Sequence, residues 1–184
     1  MNIATRLAGT EIIIIDGAMG TELQRRGVPL NFEIWSAAAL LSHPHIVQEI
    51  HVDYIRAGAE IQIAATYNTA PHVINPSNFD TTSRELTATA LRLVREGIDV
   101  AEPAHPVWIA GSISTTVESR RKEMLDISML RDSFTEHAET LAEQGCDLLM
   151  LEMMLTHEFA MDLEFQCEIV AIAKRTGLPV WAGI

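Results

Sequence analysis

Four isoleucines, Ile12 to Ile15, run directly into Asp16 and then into Gly17, Ala18, Met19, Gly20 and Thr21. Similar short apolar runs occupy residues 61–66, 107–112, 148–152 and 180–184. Their hydrophobicity is continuous rather than alternating, the pattern of parallel strands covered on both faces. The stretches between them repeat with a longer period. In residues 43–58, Ile46, Val47, Ile50, Tyr54 and Ile55 recur on one helical face, and Pro44 suits a first turn. Thr82 or Ser83 is placed to cap a second helix, and residues 128–144 and 156–175 read as two more. Gly58, Gly145 and Gly177 each close a helical stretch a few residues before an apolar run, where a left-handed cap is expected. Helix, glycine, short link and strand thus recur in fixed order. The pattern predicts an α/β chain with five parallel strands, the first four each followed by helix.

Doubly wound open sheets and (β/α)8 barrels both fit this rhythm. Two features favour the barrel. Polar residues collect at the C-terminal ends of the expected strands, namely Asp16, Thr66, Ser112 and Glu152. In a barrel those ends form one ring, where its chemistry sits. The sequence also stops within an apolar run at Gly183 and Ile184, whereas a complete barrel takes typically about 250 residues. The expectation is that residues 1–184 are the N-terminal portion of one (β/α)8 TIM barrel domain, with about the first five βα units present. Residues 71–82 and 113–127 are the two long connections.

Composition narrows the function classes. With 184 residues, of which 48% are hydrophobic, the chain can bury a real core. Its 25 acidic against 13 basic side chains, net −12, argue against a phosphate-tracking nucleic-acid surface. No apolar run reaches the roughly 18 residues of a membrane-spanning helix, and the N-terminus lacks the apolar middle of a signal peptide. A cytoplasmic protein without membrane or nucleic-acid partners is expected. Cys146 and Cys167 are expected to be buried thiols rather than a disulfide. The seven histidines form no metal-binding pattern, and His51 is expected to be a satisfied, partly buried core residue.

The turn after Ile15 carries the candidate chemistry. Such a turn directs several backbone N–H groups into one concavity, which suits an anion, and a helix beginning near Thr21 adds partial positive charge. Asp16 beside it attracts a cation such as an ammonium. Glu152, closing the fourth strand, is the second acid. Carboxylate on the Gly17 and Ala18 amides and amine on the acids describe a receptor for a zwitterion. Thr66 and Ser112 belong to the same ring, with turn-forming or supporting roles.

The stretches IDGAMGTELQRRG, IWSAAALLSHPHIVQEIHVDYIRAGAEIQIAATYNT, WIAGSI and DLLMLE together resemble the homocysteine S-methyltransferase family. The resemblance spans essentially the whole chain. It implies a (β/α)8 barrel and transfer of a methyl group to the sulfur of homocysteine or a related thiol or selenol, with homocysteine and a methyl donor as partners. It carries Asp16, Gly17 and Ala18 onto the family's amino-acid-binding loop and Glu152 onto the acid that holds the substrate amine. The family's zinc, held by three cysteines from the last strands, keeps the substrate thiol deprotonated. Those ligands are expected after Ile184, so no metal ligand is assigned to this chain and zinc is expected only in a full-length member. Two family features are replaced by apolar residues: Ala64 and Ala65 precede Thr66, and Met153 follows Glu152. Two readings follow. One is a zinc-dependent homocysteine methyltransferase of which this is a truncated portion, inactive alone. The other is a non-catalytic half-barrel or pseudoenzyme that still binds an amino acid. In either case exposed strand edges lead to an expected homo-oligomer.

Overall fold

The computed structural model describes residues 3–114, 126–154 and 163–183. Twelve elements lie among them: α1 (Ile3–Leu7), α2 (Met19–Arg25), α3 (Ala38–Ser42), α4 (Pro44–Arg56), β1 (Ile61–Ile63), α5 (Pro71–Ile74), α6 (Ser83–Ala101), β2 (Trp108–Ser114), α7 (Ile127–Glu143), β3 (Leu148–Glu152), α8 (Leu163–Lys174) and β4 (Val180–Ala182). The four strands form one parallel sheet in the order β1-β2-β3-β4. Residues 12–16 lie on its β1 edge through a parallel bridge, Ile15 to Ile61. Order in space therefore follows order in sequence. A doubly wound sheet would reverse direction at a switch point, whereas a barrel wall winds one way.

Local chemistry fixes the helix ends. Thr82 and Glu85 form a reciprocal capping box at the start of α6, worth about 1 kcal/mol. Asp126 caps α7 by accepting from the Ser128 amide at 2.6 Å. Gly58, Gly145 and Gly177 take φ of 101°, 80° and 79° after α4, α7 and α8, as the sequence pattern requires.

Alternation along the strands splits the interior into two layers. Ile109, Ile113, Leu149 and Leu151 face the helices and join Val47, Ile50, Leu91, Phe134 and Leu141 in the larger core. The opposite face carries Ile61, Trp108, Ala110, Leu148 and Met150. Helix α1 closes the N-terminal end of that second face: Ile3 is buried on it, and Arg6 forks onto Glu60 at 2.9 Å through both Nε and Nη2. Ser112 pairs with Met150, and Ser114 with Glu152. Ser112 and Glu152 therefore lie on this face too, at its C-terminal end.

Several expectations need correction. Residues 12–16 are not a full strand. Ile14 accepts from the amides of Glu60 and Ile61, and Asp16 donates to Ile61, but the pairing is confined to this one side. Ile12 and Ile14 are 86% and 53% exposed, because the described residues place nothing across that edge. β1 stops at Ile63, β2 runs on to Ser114, and β4 ends at Ala182. Cys167 is exposed, not buried. The start of the helix expected at 156–175 and most of the 113–127 loop lie outside the described residues. Among the described residues no helix is long and apolar enough to cross a membrane.

Candidate functional site at the C-terminal end of the sheet

The loop after Ile15 is held from two sides. Asp16 Oδ2 accepts the Ile63 amide at 2.9 Å, which fastens the carboxyl to the end of β1. Behind the loop, the Tyr54 ring of α4 lies so close to Gly17 that a Cβ there would sit 2.7 Å from the tyrosine Oη. Glycine is required by this close approach. The amides of Gly17 and Ala18 donate to no protein acceptor among the described residues.

Beyond Ile63 the chain leaves the sheet through Ala64 and Ala65. Thr66 takes over the missing strand with its side chain: its Oγ1 accepts the Ser112 amide at 2.9 Å and donates to the Ser112 carbonyl at 3.0 Å. The departure opens a cavity of about 280 Å³ between the Gly17–Ala18 loop, Trp35, Tyr67 and Glu152. That is room for an amino acid.

Two acids meet there. Asp16 keeps Oδ1 buried with no hydrogen-bond partner. Burial, and then the charge of Glu152, push its carboxyl up to about 8, against the opposing pull of the Ile63 amide. Burial likewise raises Glu152, whose Oε1 accepts the Ser112 hydroxyl. No cationic side chain acts on either acid among the described residues. Two acids and a lone buried oxygen facing a cavity make a place for an external cation, while the free amides beside them suit a carboxylate.

Of the residues expected from sequence, Asp16, Gly17, Ala18 and Glu152 are brought together around this cavity. Thr66 and Ser112 lie fully buried behind it with their hydroxyls engaged. Sequence reasoning missed Tyr54 as the brace of the loop and Trp35 as a wall. Trp35 holds φ of 48°, a left-handed conformation rare for a bulky residue, where Asn31 Oδ1 binds the amides of Glu33 and Ile34. No local period announces either role. His51 is fully buried rather than partly, and only Nδ1 is paired, to Gln62 at 3.0 Å.

The residues present do not fit a metal. Among the described residues no three His, Cys, Asp or Glu side chains converge to hold one. The Cys146 thiol is pushed up to about 12 by burial, and it packs against Gly111 at the opposite end of β3. Cys167 lies on the outer helix α8. No chemical step is drawn through a metal here.

The family model described as homocysteine S-methyltransferase matches residues 13–184. The chain is 30% identical to the homocysteine S-methyltransferase of Escherichia coli strain K12, over 78% of this chain and 50% of that protein. It is 29% identical to homocysteine S-methyltransferase 2 of Zea mays, over 92% of this chain and 54% of that one. A selenocysteine methyltransferase of Astragalus bisulcatus is 30% identical over 76% and 49%. The chain spans about half the length of these relatives. Among solved structures, the oxidized form of the Escherichia coli homocysteine methyltransferase MmuM superposes with a TM-score of 0.78 at 25% identity, covering 99% of this chain and 65% of that one. A metallated form of the same protein gives 0.79 at 24% identity, over 99% and 66%. With its parallel sheet, its open acidic mouth and a family match across residues 13–184, this chain belongs to the homocysteine S-methyltransferase family.

Proposed function

We propose that this chain is the homocysteine-binding portion of a methyltransferase barrel. In this reading residues 12–16 and β1 to β4 are the first five strands of a (β/α)8 barrel. The cavity at their C-terminal ends takes the head group of homocysteine. The ammonium sits between Asp16 Oδ1 and the free oxygen of Glu152. The carboxylate rests on the Gly17 and Ala18 amides, and the thiol tail points away from the loop. Thr66 and Ser112 support Glu152 from behind. The observation that carries the reading is Asp16 Oδ1: a buried acceptor with no partner, next to a second acid and with no protein cation.

Thiol activation is assigned to none of the described residues. Zinc and a methyl donor belong to the full-length reaction, and the chain alone binds the amino acid without methylating it. Calorimetric titration with L-homocysteine tests this. Asp16→Asn and Glu152→Gln are each expected to weaken binding about a hundredfold, as when one partner of a buried charge pair is removed. Unchanged affinity in both variants rejects the pocket. Methionine formed above background by the pure protein with zinc and S-methylmethionine would move thiol activation into this chain.

A further inference from the structure

A continuous polar line runs through the interior behind Glu152. It begins at the start of α6, where the Ser83 hydroxyl donates to the Thr69 carbonyl at 2.5 Å and Thr87 meets the Thr69 hydroxyl at 2.9 Å. The Thr69 hydroxyl donates to the Thr66 carbonyl at 3.2 Å. Thr66 grips both backbone groups of Ser112, whose own hydroxyl donates to Glu152. Every member behind Glu152 is buried. A second donor reaches the same Ser112 carbonyl: His137, on the inner side of α7, with Nε2 at 3.3 Å.

His137 is 1% exposed, and its Nδ1 has no partner. A carbonyl only accepts, so the ring is the tautomer with its proton on Nε2. That tautomer leaves Nδ1 as a bare buried acceptor, which costs about 1–3 kcal/mol. Burial also holds the ring neutral, pushing it down to about 4. A leucine or phenylalanine would fill the space without that cost, so packing does not account for the imidazole. Its one contact of consequence is the Ser112 peptide.

We propose that His137 is a positioning residue for Glu152, acting through Ser112: with Thr66 it locks the Ser112 peptide, so that the serine hydroxyl occupies Oε1 and leaves one carboxylate oxygen aimed at the ligand amine. The purpose of this device rests on the amino-acid pocket proposed above, but its geometry can be tested without a ligand. The acid facing Glu152 is Asp16, and no cation competes among the described residues.

The experiment pairs homocysteine calorimetry with carbon-13 NMR titration of the Glu152 carboxyl in the ligand-free chain, assigned by Glu152→Gln. Ser112→Ala sets the full effect, an upward move of the Glu152 midpoint. His137→Leu is expected to melt no lower than wild type, to bind L-homocysteine about tenfold more weakly, and to move Glu152 the same way as Ser112→Ala. His137→Gln places an amide N–H near the same carbonyl and is expected to stay within about threefold of wild-type affinity with Glu152 unmoved. His137→Asn is too short to reach, and it serves in place of leucine if that variant does not fold. A wild-type Glu152 titration in His137→Leu or His137→Asn overturns the proposal. A shifted titration in a protein whose wild type binds no homocysteine upholds the positioning role and removes the pocket reading instead.

Discussion

The two ends of the sheet treat their carboxylates in opposite ways. At the N-terminal end Glu60 receives the forked Arg6 guanidinium, which holds its carboxyl below the ordinary range. Helix α1 covers the apolar face beside it. At the C-terminal end Asp16 and Glu152 have comparable burial and no arginine, and both are raised. An acid that serves the fold is given its counter-charge by the fold. An acid left without one, with a lone buried oxygen facing a cavity, destabilises the empty protein and gains only when a cation arrives. The contrast separates a structural carboxylate from a functional one with no appeal to ancestry.

The contrast has a pH signature. Unfolded, Asp16 ionises near pH 4, while in the fold it holds its proton to about 8. The folded state therefore binds more protons across that window, and ligand-free stability falls as pH rises through it. His51 and His137 act oppositely. Burial pushes both down to about 4, so the unfolded chain takes up more protons below about 6.5 and stability falls as pH drops toward 4. Stability of the empty chain should peak at about pH 6. Asp16→Asn keeps an acceptor for the Ile63 amide and removes the charge. It should stabilise the chain at pH 8 by on the order of 3 kcal/mol, after discounting for partial exposure, and carry the maximum to higher pH. Urea unfolding across pH checks this, and an unchanged profile erases the distinction between the two ends.

Gly17→Ala perturbs the open end without touching a charge. The new methyl meets Tyr54, and the loop must shift. Affinity for homocysteine should fall about tenfold, and Tyr54→Phe in the same chain should restore part of it, because the closest contact is to the hydroxyl. No recovery in the double variant means that the ring, not its Oη, sets the loop. At the sealed end Arg6→Met should lower the melting temperature by a few degrees at pH 7 while leaving affinity alone. Because Glu60 titrates below its unfolded value, that loss should fade as pH falls below about 4. A loss that persists in acid would assign the arginine's role to packing.

Much of the scaffold was legible because it rests on local rules. Periods of apolar residues marked α4, α6 and α7, and glycines marked their ends. Asp16 and Glu152 stood out because charge at the end of an apolar run asks for a reason. What escaped depends on distance. The contact of Tyr54 with Gly17 joins residues far apart in sequence, and α1 is five residues long, too short to show a period. The isoleucine run was read as a strand on composition. Strand pairing needs neighbours, and Ile12 and Ile14 have little of one. His51 looked satisfied because a sequence does not reveal which ring nitrogen finds a partner.

The Thr66 side chain finishes the hydrogen bonding of Ser112 where β1 has already departed. The rim beyond it is thereby uncoupled from the wall. Segments following Tyr67 can be lengthened, shortened or exchanged without unzipping β2, and a lineage or an engineer can retailor what enters the mouth while the amine-holding floor stays as it is.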